Sequence, residues 1–285
     1  MADATQTRSA YIIPFRSIYV FLAIAFGLAW GIVAVLVLFN DAVTPIFGEV
    51  SARHPLFMLA VYAPAIAAFL IVVLHAGLSG LQRFLSRLLL WRCALGWYGL
   101  IILGVPLISL TGAYIKGTLF TDPFAFSGLG AALSAIAFML ILGPMEEFGW
   151  RGIALPLLQR RMAPIWAGSV LGLIWGIWHL PAFFLGGTPQ SAWDFTPFLV
   201  GAVAVSVILT PIFNASGGSI LIAALFHFAL NNPVLPDAQP YDMWLFAALA
   251  VLGPVDIHHT PPVSVQNPSG QGIFAPERWP LFNRK

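Results

Sequence analysis

Long apolar runs separated by short polar interruptions dominate the chain. Runs long enough to span a bilayer fall at about 17–39, 55–77, 97–115, 128–160, 163–184, 196–213, 216–232 and 241–255. A helix needs about 20 apolar residues to cross the hydrocarbon core. The pattern therefore predicts an all-α fold, a polytopic transmembrane helix bundle with about eight spans. The last run is the weakest, since roughly 15 residues cover about 22 Å at about 1.5 Å per residue, which leaves it either re-entrant or starting earlier in the sequence. Between the second and third runs, Leu81, Phe84, Leu85 and Leu88 recur at i, i+3, i+4 and i+7, while Arg83 and Arg87 share another face. That spacing predicts one basic amphipathic helix over 81–92 lying in the interface.

Composition agrees with this reading. Hydrophobic residues make up 59% of the chain and charged residues 8%, against about 25% charged in ordinary globular proteins. The formal net charge of +2 is too small to imply nucleic acid. The single cysteine, Cys93, cannot form an internal disulfide. Arg8 and Arg16 precede the first apolar run without a small-residue cleavage pattern, which favours a retained span. With the N-terminus placed in the cytoplasm, Arg8, Arg16, Arg83, Arg87, Arg92, Arg160, Arg161, Arg278, Arg284 and Lys285 fall inside, and only Arg53 and Lys116 fall outside. The positive-inside rule thus predicts a multi-pass integral membrane protein with both termini cytoplasmic, expected in a bacterial inner membrane. The expected organisation is a cytoplasmic segment 1–16, a membrane-embedded domain 17–255 and a disordered tail 256–285. His258-His259 in that tail has no nearby partners that would make it a metal site.

Against this background, a few polar positions stand out. Glu146-Glu147-Phe148-Gly149-Trp150-Arg151, then His179, then His227 with Asn231 fall inside or against apolar runs. A charged group in hydrocarbon costs roughly 2.5–3.5 kcal/mol even on the mild insertion scale, so such groups mark function or a specific pairing. Glu147 and Arg151 are i, i+4 and meet on one helix face, where they can neutralise each other as a structural ion pair. Glu146 points about 140° away from Arg151, at about 100° per residue, and is the carboxylate without a local partner. Trp175, four residues before His179, is expected to stack beside the imidazole and line a cavity. Pro181 frees the carbonyl of Ile177 and can kink the helix there. His227 and Asn231 share a face at i, i+4, and Asn232-Pro233 ends that helix. A purely structural reading remains for each: an ion-pair cluster that locks helices, and histidines that bond between helices.

Depth arithmetic links the pieces. The turn between the fourth and fifth runs lies near Arg161-Met162-Ala163-Pro164. Glu146 lies about 16 residues before its centre and His179 about 16 after, so an antiparallel hairpin brings them to matching depth. His227 and Asn231 stand about 11 and 15 residues above the turn near 214–218, roughly 16–22 Å up the same side. All four side chains are therefore expected to meet at mid-membrane.

Glu146-Glu147 to Arg151, Trp175 to His179 and His227 to Asn231 resemble the three ordered motifs of the CPBP family, the CAAX prenyl proteases and bacteriocin-processing or immunity membrane proteins. The resemblance covers a core of about 125–235. Its second motif usually carries Phe where this chain has Trp175. The resemblance implies an intramembrane endopeptidase in which Glu146 with His179 activates a water and His227 with Asn231 stabilises the oxyanion. The implied substrate is a membrane-delivered peptide or lipidated protein, and the bilayer is the surrounding partner. Two histidines and a glutamate can also hold Zn²⁺ with an open position for water, so the cofactor stays open: a metal on Glu146, His179 and His227, or a glutamate/histidine-activated water without one.

Other intramembrane protease chemistries fit poorly. There is no His-Glu-x-x-His, Asp242 has no second intramembrane Asp, and Ser219 lacks the glycine that should follow a rhomboid-type serine. Ser219 reads instead as a small packing residue. The rival to an enzyme is a non-catalytic binding or immunity module using the same cavity. A proton-coupled transporter is weaker, because no repeat of paired, broken half-helices is evident.

Overall fold

The computed structural model describes residues 13–121, 128–231 and 233–252. The first twelve residues, Asn232 and the tail with His258-His259 lie outside them. Ten helical segments matter here: α1 (Ser17–Leu38), α2 (Pro55–Val61), α3 (Ala63–Leu85), α4 (Leu95–Lys116), α5 (Leu129–Ile141), α6 (143–158), α7 (Pro164–Trp178), α8 (Phe195–Ala215), α9 (Ile220–Leu230) and α10 (Tyr241–Leu252). No strand occurs among the described residues. Six segments are long and apolar enough to cross a membrane, and α9 and α10 are shorter apolar helices. The protein is a polytopic helical membrane bundle. All eight predicted runs are helical, and the eighth is only 12 residues long where described.

The outer spans show a narrow enclosed stripe and a wide apolar remainder. On α1, Phe21, Ala25, Ala29, Val33 and Leu36 are buried, while Tyr19, Val20, Val35, Val37 and Leu38 are exposed. Lipid is as apolar as leucine, so packing in a bilayer relies on close approach and hydrogen bonds rather than on hydrophobicity. Both devices appear. Trp30 Nε1 donates to the Trp178 carbonyl and Trp178 Nε1 to that of Ala25, each at 3.0 Å, tying α1 to α7. Gly168, Gly172 and Gly176 form a smooth stripe on α7. A Cβ on Gly172 would stand 2.6 Å from Val203 Cα of α8. α8 is the central span, with 72% of its apolar window buried.

Two predicted continuous elements are broken. The fourth run stops at Leu142 (φ −85, ψ −83), and the chain restarts through Gly143-Pro144-Met145 into α6. The first half, α5, has no fully enclosed residue. In α6, Gly149 and Gly152 admit α3: a Cβ on them would stand 2.5 Å from Pro64 Cβ and 2.8 Å from Phe84 Cζ. A π-type turn spans Trp150–Ala154, a feature frequent at functional sites. Near His179 the helix ends rather than kinks, and Leu180–Phe184 continues as a 3₁₀ turn.

The predicted interfacial helix is a correction. Its first half belongs to α3, which bends at Gly77 (φ +63) and runs to Leu85 before a 3₁₀ turn at Ser86–Leu89. Arg87 does not share an outward face with Arg83. It is 4% exposed, and its guanidinium donates to the carbonyls of Gly152 (2.9 Å) and Gly218 (2.8 Å). The reason lies in α6: Pro156 has no N–H to offer the Gly152 carbonyl four residues back, and Arg87 supplies the donor instead. Ser219 also does more than pack, since its Oγ accepts from Ile222 N at 3.0 Å and caps α9.

The loops sort into two ends. Arg160 Nη1 donates to the Ile13 carbonyl (2.8 Å), Gln159 Nε2 to Asn214 Oδ1 (3.1 Å) and Ser219 Oγ to the Leu90 carbonyl, gathering the arginine-rich segments at one end. At the other, Lys116 pairs with Asp237 at 2.6 Å and Thr118 Oγ1 donates to the Asp237 carbonyl at 2.8 Å.

Candidate active site

The break at Leu142–Pro144 starts α6 in the middle of the bundle and sets Glu146 and Glu147 in its first turn. Carboxylates are favoured there by the positive end of the helix dipole. α7 brings Trp175 and His179, and α9 brings His227, with Asn231 as its C-cap. Glu146, Trp175, His179, His227 and Asn231 all line one cavity of about 430 Å³.

The two carboxylates have different partners. Glu147 Oε1 accepts from Arg151 Nη1 at 3.0 Å and contacts His227 Nδ1 at 2.7 Å. Glu147 and Arg151 are fully buried and lie outside the cavity lining. The predicted pair is therefore part of a three-member chain, Arg151–Glu147–His227, that reaches the cavity through the imidazole. Glu146 is not the partnerless carboxylate of the sequence reading. Its Oε2 accepts from Trp175 Nε1 at 2.8 Å and from Trp150 Nε1 at 3.3 Å, the latter an i+4 neighbour. It has no ion pair among the described residues.

Hydrogen bonds also set the histidine roles. His179 Nδ1 lies 2.8 Å from the Trp175 carbonyl, which can only accept. Nδ1 therefore carries the proton, and in the neutral ring Nε2 is left as an acceptor. His227 Nδ1 faces the Glu147 carboxylate, so Nε2 is the atom left for other chemistry. Trp175 contacts both imidazoles edge-on, with ring centroids 5.4 Å from His179 and 5.5 Å from His227, and the Arg151 guanidinium lies 5.0 Å from its ring. Gly143 underlies His227 and Asn231: a Cβ there would stand 2.9 Å from His227 Nε2 and 2.7 Å from Asn231 Nδ2.

The metal set expected from the sequence, Glu146, His179 and His227, is not pre-grouped around one point. Among the described residues no three His, Cys, Asp or Glu side chains are grouped to hold one. Glu146 Oε2 and both Nδ1 atoms are engaged within the protein, which leaves Glu146 Oε1 and the two Nε2 atoms as the donors such a set would use.

Residues 128–232, the segment that carries every one of these side chains, match the family model for type II CAAX prenyl endopeptidase, Rce1-like. Over this motif core the chain is similar to that family. The CAAX prenyl protease 2 of Methanococcus maripaludis is 30% identical over 138 residues, which cover 46% of this chain and 50% of that protein. The chain thus spans about half the length of the curated relative it matches. The CPBP motifs name Glu146, Glu147, Arg151, His179, His227 and Asn231, but not Trp150 or Gly143. The i, i+4 spacing that marked Glu147 with Arg151 also joins Glu146 to Trp150, and was the signal available for it. Gly143 carried no signal beyond its place before Pro144.

Proposed function

We propose that this chain is an intramembrane endopeptidase in which Glu146 activates a water against a peptide bond of a membrane-delivered or lipidated substrate. The observation that carries this reading is the convergence of Glu146, His179, His227 and Asn231 on one cavity. Glu146 Oε1 has no hydrogen bond among the described residues, so it is the oxygen left to take a proton from water. His179 Nε2 accepts the water's other hydrogen and orients it. The water oxygen attacks the scissile carbonyl carbon, and the carbonyl π pair moves onto oxygen. His227 Nε2–H and Asn231 Nδ2 hold that oxyanion, a contribution of about 10²–10³-fold in rate per donor. His227 donates from both nitrogens only as an imidazolium, and Glu147 beneath it supplies the counter-charge. The intermediate then collapses, the C–N bond breaks, and Glu146 returns its proton to the leaving nitrogen. A carboxylic acid and an amine result.

The same reading includes orientation. The arginine-rich end faces the cytoplasm under the positive-inside rule. The substrate class follows the relative's name, which specifies a prenyl protease, and a farnesylated peptide is the first substrate to offer. Purified protein in liposomes should cleave such a peptide. Glu146→Gln should lower the rate at least about 10³-fold with the melting temperature unchanged, and a chelator should leave the wild-type rate intact. Cleavage by Glu146→Gln at the wild-type rate would refute the assignment of the base.

A further inference from the structure

We propose that Trp150 and Trp175 are positioning residues for Glu146: their two indole N–H groups clamp one carboxylate oxygen and aim the other into the cavity. The kinetic side of this proposal rests on the endopeptidase reading above; the geometry does not.

Glu146 is 4% exposed and has no cationic partner at contact distance among the described residues. A buried carboxylate in that position needs hydrogen-bond donors. Both of those present reach the same atom, Oε2, from Trp175 at 2.8 Å and from Trp150 at 3.3 Å. Two donors converging on one oxygen fix the rotation of the carboxylate plane, which a single donor or a mobile cation would not. An indole N–H is a donor only. It keeps its proton through a cycle in which Glu146 gains and loses one, so the clamp does not compete with the chemistry.

The rings that carry these donors are themselves held. Trp150 is fully buried, edge-on to Phe21 at 5.3 Å and to Trp178 at 5.7 Å. Trp175 sits between the two cavity histidines, with Arg151 5.0 Å from its ring. The clamp also joins two elements, because Trp150 is on α6 with Glu146 and Trp175 is on α7. A phenylalanine at either position keeps the ring contacts and deletes only the N–H.

The test uses the full-length protein with Trp175→Phe, Trp150→Phe and the double variant, on a peptide whose cleavage requires Glu146. For Trp175→Phe, kcat is expected to fall about 10- to 100-fold with KM within about twofold and the melting temperature retained. Trp150→Phe, with the longer bond, should fall less, and the double variant most. In parallel, the indole ¹⁵N–¹H resonances of the wild type are assigned with the Phe variants. Glu146→Gln should move the Trp175 resonance most, because a neutral amide replaces the carboxylate acceptor. An unchanged kcat in the double variant, a loss confined to KM, or a Trp175 resonance that ignores Glu146→Gln would each overturn the proposal. If the wild type cleaves no peptide, the endopeptidase reading fails and the resonance alone decides the clamp. The resonance also decides it if a Phe variant does not fold.

Discussion

A methyl group at position 143 would stand within 2.9 Å of both His227 Nε2 and Asn231 Nδ2. Something must move, and the movable atoms are the two proposed to hold the oxyanion. A misplacement of about 1 Å costs on the order of 10²-fold in rate. Gly143→Ala should therefore cut kcat about 10- to 100-fold while the protein still folds and still binds peptide, as read by kinetics beside a binding assay in the Glu146→Gln background. At this scale the sequence was legible where chemistry repeats along one helix. Glu147 and Arg151 were placed on one face by spacing alone, and they meet at 3.0 Å. It was less legible where a donor hides in an apolar residue. A hydropathy pattern counts Trp150 and Trp175 as grease, so their N–H groups toward Glu146 went unseen. Depth arithmetic placed His227 near the carboxylates, but only side-chain geometry shows that its Nδ1 meets Glu147 rather than Glu146.

Among the elements, helix existence followed directly from apolar run length, and the breaks did not. Leu142 lies in uninterrupted apolar sequence, and what stops the helix there is Gly143-Pro144 just beyond it. Arg87 misled for a similar reason: its periodicity matched Arg83, but the carbonyl left by Pro156, 69 residues further along the chain, draws it inward. The glycine stripe of α7 places Gly168, Gly172 and Gly176 four apart, a spacing that lets helix backbones approach in membranes. It yields a paired prediction. Gly172→Ala puts a Cβ 2.6 Å from the backbone of α8 and should destabilise by about 1–3 kcal/mol. Gly27→Ala meets nothing within 4 Å, and should be neutral or gain up to about 1 kcal/mol from helix propensity. Thermal melts of the two variants in the same detergent compare them. Equal melting temperatures would contradict the packing role assigned to the stripe.

For the molecule as a whole, the cavity is set to one side. Its walls include Ala52, Gln190, Trp193 and Asp237 from the lysine-and-aspartate end, and none of the arginine-rich loops contributes. Under the proposed orientation, with the arginines in the cytoplasm, the cavity would open away from it. In a Cys93→Ser background, Glu49→Cys should react with an impermeant thiol reagent on intact cells, and Arg92→Cys only after the membrane is opened. The reverse pattern would invert the orientation and place the cavity mouth in the cytoplasm.

An enzyme that admits water halfway across a bilayer must also avoid becoming a pore. Beneath the carboxylates the chain places Trp150, Ile153, Phe84, Phe213 and Phe226, all essentially inaccessible, with the Arg87 guanidinium bridging α6 to the turn before α9. A fixed positive charge in a dry layer is a barrier to protons and metal cations alike. If the cavity is hydrated as proposed, Arg87 would close the layer beneath it as well as serve as a substitute backbone donor. Liposomes carrying Arg87→Ala should dissipate a proton gradient faster than liposomes carrying the wild type, by a leak that Glu146→Gln does not produce.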